Sequence, residues 1–553
     1  MSLPTKSSRY GIISGANLGV IPDIRGGVGL RFFNSMARNG DKLHHMEATM
    51  GDTETKGMVR SKAIRVATLL RNRGIEEGNI IVISSKNHLD QTVALLACWF
   101  LGAIVAPLHS DYDYEDLKHA VRMLQPKVAF CGNKSSILLH RIMLDINVKC
   151  TIITFNEESK QFPTFKKCCE LYKEDPNFEV AYISEPSKQP AIIITTLGTE
   201  TNCKLVAVSH YNLILRYSRL IPRFNKSEKL LSFFPLSCTM HILASCLCFD
   251  TTVRLIYFKH FTEKSICKHI QHLKVEHMFI DGELVVKVVA NAPLLDYDLT
   301  SLKTIFVAGM PLSTTNYAKV CRTFRGVDVN TTYQTIETGM MTEIGQEVFS
   351  FNKQKVLSVG KLYPGLKIKI LDIRTKQVLG AEQSGEIYVK GAAIMLGYYR
   401  DPLATSKAFV KGFYKTGDVG SYDTDGYVYI KGRLSDHVYR SGFLFGLQDI
   451  EEVLKLNQSV SEVVCIETFG AIIACVIKKL GHEIKAITLL DFVYDVLPPY
   501  KIPSRVIFQD YFPKTVLGVN RKNIIKENIT KILLEESLMK DDSLRDDKRS
   551  MES

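Results

Sequence analysis

Short apolar runs alternate with longer amphipathic stretches through the first three hundred residues. NIIVIS (79–84), KVAFCG (127–132), TIITF (151–155), AIIITT (191–196), KLLSFF (229–234), VRLIYF (253–258), HMFID (277–281) and TIFVAG (304–309) have the length and β-branched content of strands. Mostly helical patterns lie between them, such as the amphipathic YEDLKHAVRML (114–124). Strand–helix alternation at this spacing predicts an α/β fold of doubly wound, mostly parallel sheets, with ligands beyond the carboxyl ends of the strands. After about residue 356 the pattern becomes short strands and turns, LKIKILD, GEIYVKG and the Asp-Gly turn of YDTDGYVYIKGR. A small β-barrel-like part is expected there. Residues 437–535 return to mixed helix and strand and read as a small α+β unit.

The expected organisation is a large N-terminal domain over 1–432, a hinge at 433–436, a mobile C-terminal domain over 437–535 and a charged tail over 536–553. The tail mixes both signs of charge with few large apolar side chains, so fraying or disorder is expected. One segment, 91–110, is uncharged and mostly apolar, but Gly102 divides it and Pro107 closes it. A helix over 89–101, a glycine C-cap and a buried strand over 103–106 explain it better than a membrane span.

Composition adds bounds. A chain of 553 residues, 46% hydrophobic, exceeds the roughly 250–300 residues at which one core stops growing, so at least two packed units are expected. The 13 cysteines include no CxxC pair, which argues against a zinc site or a disulfide framework. No long apolar signal region opens the chain and no SKL-type address ends it, so the expected compartment is cytoplasmic. The 70 Lys+Arg against 58 Asp+Glu leave a charge of +12. Read along the chain, this surplus is spread out and shows no basic stretch interleaved with aromatics, so nucleic acid is not an expected partner. A positive field of this kind can steer anionic ligands.

Three clusters carry candidate chemistry. In TTLGTETNCKLVAVSH (195–210), a strand ends in a loop whose hydroxyls, backbone N–H groups and Lys204 ammonium can cradle a triphosphate. A plain polar hairpin loop reads the same way. In TTYQTIET (331–338), Tyr333 can stack on a purine and Glu337, four residues on, can hold Mg²⁺. A strand-to-helix turn with an exposed glutamate is the plainer reading. In KGFYKTGDVGSYDTDGYVYIKGR (411–433), Asp418 can accept hydrogen bonds from ribose hydroxyls.

These clusters, in this order, resemble the adenylate-forming superfamily of acyl- and aryl-CoA synthetases, coumarate ligases and firefly luciferase. GEIYVKGAAIMLGYYRDPLAT (385–405), AGMPLS (308–313) and VGKLYPG (359–365) add to the resemblance, which runs from about residue 25 to about 530. It implies a two-step reaction in which a fatty or aromatic carboxylate attacks ATP to give an acyl-adenylate, and coenzyme A then displaces AMP. Relatives are often peroxisomal. The implied roles are phosphate binding for Thr196, Gly198, Thr199 and Lys204, and adenine contact for Gly309, Met310 and Tyr333. Glu337 would hold Mg²⁺, and Asp418 and Arg433 the ribose. Lys204, Glu337 and Arg433 would also be catalytic. His210 and Arg216 match positions flanking the phosphate loop.

The chain departs from the family's pattern at several points. Thr201 and Leu205 replace loop glycines, Cys203 a proline, and Glu200 a threonine. Ile336 replaces a second phosphate-touching threonine, and Gln334 a glycine of the acyl pocket. Ser237 and Cys238 replace paired histidines, and Asp281-Gly282 an apolar-Pro element of the pocket wall. In PKTVLGVN (513–520), Val519 occupies the position of the adenylation lysine. Lys514, Arg521 and Lys522 are the cations near enough in sequence to substitute. The alternative is therefore a pseudoenzyme of this fold that binds nucleotide or acid without turnover.

Overall fold

A computed structural model describes residues 6–7, 11–17, 22–156, 158–196, 203–257, 262–291, 296–309, 312–344, 355, 358–515 and 518–551. One seven-stranded sheet has the order Gly397–Tyr398, Leu205–Ser209, Pro190–Thr195, Ile104–Pro107, Ile80–Ser84, Val128–Cys131, Thr151–Thr154. From Pro190–Thr195 onward the pairs are parallel, whereas Leu205–Ser209 is antiparallel to both neighbours. Every residue of Ile80–Ser84 is buried, as befits a central parallel strand covered on both faces. The long apolar segment resolves as a helix Leu89–Phe100, Gly102 in the left-handed region at φ 68°, and the strand Ile104–Pro107. Trp99 donates its indole N–H to the Ala191 carbonyl at 2.9 Å, tying this helix to the sheet. Among the described residues no helix is long and apolar enough to cross a membrane.

A second seven-stranded sheet has the order Asp328–Thr331, Thr304–Ala308, His277–Asp281, Lys229–Ser232, Arg254–Tyr257, Leu43–Glu47, Thr53–Thr55. All its pairs are parallel except the last. Asp281 is in register with Ala308, and Val307 with Thr331, so the carboxyl ends of three neighbouring strands lie side by side.

The part expected to be barrel-like is a third seven-stranded sheet, built around Ile12–Ser14, Leu366–Leu371, Gly385–Gly391 and Phe413–Tyr422. Leu366, Ile368 and Ile370 turn inward while Lys367 and Lys369 turn outward, the period of two that a one-sided antiparallel strand requires.

Two compact units divide the chain. One comprises Met1–Thr196, Lys204–Thr416 and Gly420–Ile430, the other Leu197–Cys203, Gly417–Val419 and Lys431–Ser553. In the second, the strands Val460–Thr468, Ala471–Lys478 and Arg505–Phe508 form a mixed sheet. One face packs Ile472 and Val476 against Ile450 and Leu489 of the helices Gln448–Lys455 and Ala486–Tyr494. The other face packs Val464 and Ile473 against Ile525 and Ile529 of the helix Lys522–Met551. The backbone of that helix continues past Glu535 to Met551. Glu, Lys, Leu, Met and Arg are all strong helix formers, so the tail's lack of apolar mass does not prevent the helix from continuing.

Candidate functional site

Glu337 sits at the tip of a tight hairpin in which Gln334–Thr335 pairs antiparallel with Gly339–Met340. Two residues per strand cannot hold such a turn, and the side chains supply the rest. The Thr338 N–H donates to Thr335 Oγ1 at 3.2 Å and the Thr335 N–H to Thr338 Oγ1 at 3.3 Å. Arg216, fully buried on the helix His210–Ser218, then clamps the tip. It donates to the carbonyls of Ile336 at 2.9 Å, Glu337 at 2.8 Å and Ala393 at 2.9 Å. Burial, then the neighbouring Arg219, push its guanidinium down to about 9 against the pull of Glu337. Gly339 makes the close approach possible: it has φ 66°, and a Cβ there would lie 2.9 Å from Arg216 Cδ.

The Glu337 carboxylate accepts a hydrogen bond from the Tyr398 hydroxyl at 3.1 Å. Tyr414 stands beside it, and burial followed by the Glu337 charge holds the Tyr414 hydroxyl well above its ordinary range. On the ring of the same Tyr398 lies the Lys204 ammonium, 5.1 Å from the centroid. Thr196 and Lys204 face each other across the ends of the loop. The Thr196 N–H donates to the Lys204 carbonyl at 2.8 Å, and the Lys204 N–H to Thr196 Oγ1 at 2.9 Å. Tyr398 thus brings Lys204 and Glu337, 133 positions apart in sequence, around one aromatic ring. Gly198 and Thr199 of the loop, with Glu200 and Thr201, lie outside the described residues, as does Met310.

Gly309 and Tyr333 follow the adjacent parallel strands Thr304–Ala308 and Asp328–Thr331, at the edge where ligands are expected. Gly309 has φ 86°, and a Cβ on it would meet Asp281 Oδ2 at 2.3 Å. Half-buried Tyr333 is fixed by its backbone, donating to Thr342 Oγ1 at 3.1 Å and accepting from the Met341 N–H at 2.8 Å.

In the second unit, buried Asp418 follows Gly417, at φ 70°, within the strand Phe413–Tyr422. Its carboxylate pairs with Arg433 at 3.2 Å. Val519 is half-buried in the turn after Gly518, with its carbonyl accepting from the Thr515 N–H at 2.8 Å. Of the neighbouring cations, Lys514 pairs with Glu462 at 2.8 Å. Lys522 pairs with Asp436 at 3.2 Å and Glu451 at 3.0 Å.

The profile of the AMP-binding enzyme family matches residues 32–399, and that of the AMP-binding enzyme C-terminal domain matches 449–518. The chain belongs to the AMP-binding enzyme family. It is 25% identical to 4-coumarate--CoA ligase-like 9 of Arabidopsis thaliana, with 89% of this chain and 87% of that protein aligned. It is also 25% identical to luciferin 4-monooxygenase of Photuris pensylvanica, over 92% and 96% of the two chains. Its fold matches that of ATP-bound MatB from Rhodopseudomonas palustris, with a TM-score of 0.79 at 23% identity over 92% of this chain and 99% of MatB. Family membership makes the chain acyl-CoA ligase-like, within a family described as AMP-binding.

Within this AMP-binding fold, three further polar side chains, Cys238, His277 and His210, are structural groups. Cys238 N-caps the helix Thr239–Asp250, and burial pushes its thiol up to about 11, which leaves no thiolate at neutral pH. His277 is bonded to Glu228 at 2.8 Å, and no group of three metal-capable side chains occurs among the described residues. His210 is buried, accepts the Val28 N–H at 3.2 Å and is pushed down to about 4 by burial. Sequence reasoning missed Tyr398 as a junction. The LGYYRD segment that contains it was visible as a motif, but its contact with both Lys204 and Glu337 exists only after folding.

Proposed function

We propose that this chain is an AMP-forming acid–thiol ligase acting on a fatty or aromatic carboxylic acid. A carboxylate oxygen attacks the α-phosphorus of ATP, the bond to the β-phosphate bridging oxygen breaks, and pyrophosphate leaves. The thiol sulfur of coenzyme A then attacks the acyl carbon, loses its proton, and AMP departs. The observation that carries this reading is the meeting of the Lys204 ammonium and the Glu337 carboxylate on Tyr398, with the Glu337 backbone clamped by Arg216. Lys204 with Thr196, Gly198 and Thr199 would take the phosphates. Gly309, Met310 and Tyr333 would take the adenine, and Asp418 and Arg433 the ribose.

Glu337 would hold Mg²⁺, whose chemistry there is to neutralise phosphate charge. A lone carboxylate fits this ion, which keeps several waters and takes its other ligands from phosphates.

A second reading has its own observation. Val519 stands where the resemblance expects a lysine, and Lys514 and Lys522 are already in ion pairs. One missing preorganised charge lowers a rate by about 10²–10³. On this reading the protein binds nucleotide without turnover. ATP–pyrophosphate exchange over a panel of carboxylic acids separates the two. Exchange above background that Asp418→Ala abolishes supports the ligase. A stabilising thermal shift with Mg-ATP and no exchange supports the binding protein.

A further inference from the structure

The outer face of the third sheet gathers positive charge that the linear sequence disperses. Lys367 and Lys369 project from the strand Leu366–Leu371, and Lys390 from Gly385–Gly391. Cross-strand register sets Lys367 directly opposite Lys390, and Lys369 opposite Tyr388. Lys411 lies in the two-residue turn between Val410 and Phe413, with φ 50° at Lys411 and 75° at Gly412. Lys415 is two residues along the strand from Phe413, so it faces the same side.

The aromatics lie among these ammonium groups. Lys369 is 4.3 Å from the Phe413 centroid and 5.5 Å from that of Tyr388, and Lys390 is 5.8 Å from Phe413. None of the five lysines forms an ion pair among the described residues. The acid on this face, Glu386, is bonded to Lys376 and Tyr388.

Such a face works against its own stability. Like charges directly opposite on neighbouring strands are destabilising, and Lys369 is lowered by burial and then by the charge of Lys411. An outer face chosen only for solubility would intersperse both signs. These cations project from the face of a sheet, carry compact ammonium groups instead of bidentate guanidinium forks, and adjoin an exposed apolar side chain, Val410, at the hairpin tip. Point charges spread over a surface, beside an apolar residue at its edge, complement a plane of anionic headgroups above an acyl interior.

We propose that this sheet face, centred on Lys367, Lys369, Lys390 and Phe413, docks the protein on an anionic phospholipid surface. The contact is peripheral, screened by salt, and independent of whether the nucleotide site turns over.

The test is co-sedimentation of the full chain with vesicles of phosphatidylcholine alone or with 30% phosphatidylserine, over a range of salt. Wild type should bind the phosphatidylserine vesicles and release them as salt rises. The triple variant Lys367→Gln/Lys369→Gln/Lys390→Gln should bind on the order of 100-fold more weakly, given the contribution of each lysine near an anionic membrane. The triple arginine variant should retain binding. Melting temperature and the Mg-ATP thermal shift, measured in parallel, establish that the glutamine variant is folded. Equal binding to both vesicle types overturns the proposal, as does an equal loss from removing three lysines outside this sheet, Lys149 and, on the helix Glu263–Leu273, Lys264 and Lys268. So does a result in which the three lysines govern binding to a single-stranded RNA or heparin probe while vesicles are ignored.

Discussion

Replacing Arg216 by methionine should release the Glu337 hairpin while leaving the rest of the fold standing. Three charge-assisted hydrogen bonds end on the carbonyls of Ile336, Glu337 and Ala393. At about 1.5–3 kcal/mol each, their gross loss is on the order of 5–9 kcal/mol. Against this, the guanidinium is itself unfavourable where it sits. Burial, then the charge of Arg219, push it down to about 9, and the methionine removes that cost. The two terms oppose each other globally but not locally, because the hairpin loses its anchor whatever happens to the core. Amide exchange followed by mass spectrometry should show residues 334–340 opening about 10–100-fold faster, while peptides from the Ile80–Ser84 and Ile104–Pro107 strands stay protected. The Mg-ATP thermal shift should disappear with the hairpin's order. Unchanged exchange over 334–340 would refute the clamp, and so would uniform acceleration across both parallel sheets.

Two further outcomes test other parts of the structure. Lys56, buried at the carboxyl end of the helix Thr239–Asp250, donates to the Cys248 and Phe249 carbonyls at 2.5 and 3.1 Å and is pushed by burial down to about 8. Between about pH 8 and the ordinary value of 10.5 the unfolded chain binds more protons, so stability rises with pH. In urea titrations wild type should gain up to about 3 kcal/mol on Lys56→Met across that window, and parallel pH curves would contradict this. Val519→Lys should raise ATP–pyrophosphate exchange by about 10²–10³-fold where the remaining site is competent. A wild type that already exchanges briskly, with no gain from the lysine, would show that another group fills the role.

The strands were legible wherever burial is two-sided. IIVIS at 80–84 is apolar at every position but one because helices cover both faces, and nothing else in a polar chain explains such a run. The helix Tyr114–Leu124 was equally plain, because one face is core and the other solvent. The strand Gln334–Thr335 was not legible. It has no apolar period of its own and exists because Arg216, over a hundred positions earlier, holds the carbonyls beside it.

The same reasoning explains why the charge of +12 looked featureless in sequence. A period of two puts Lys367 and Lys369 on one face, but only the register of Leu366–Leu371 against Gly385–Gly391 brings Lys390 to them. Only the hairpin turn adds Lys411. Net charge is a sum and carries no position, so it cannot distinguish a mixed surface from a segregated one. What separates them here is that unlike charges were available: Glu386 lies on the same strand face as Lys390, yet it is engaged by Lys376 and Tyr388. The neighbouring lysines therefore keep their mutual repulsion, and a face that retains repulsion in the free protein gains most from an anionic plane that relieves it.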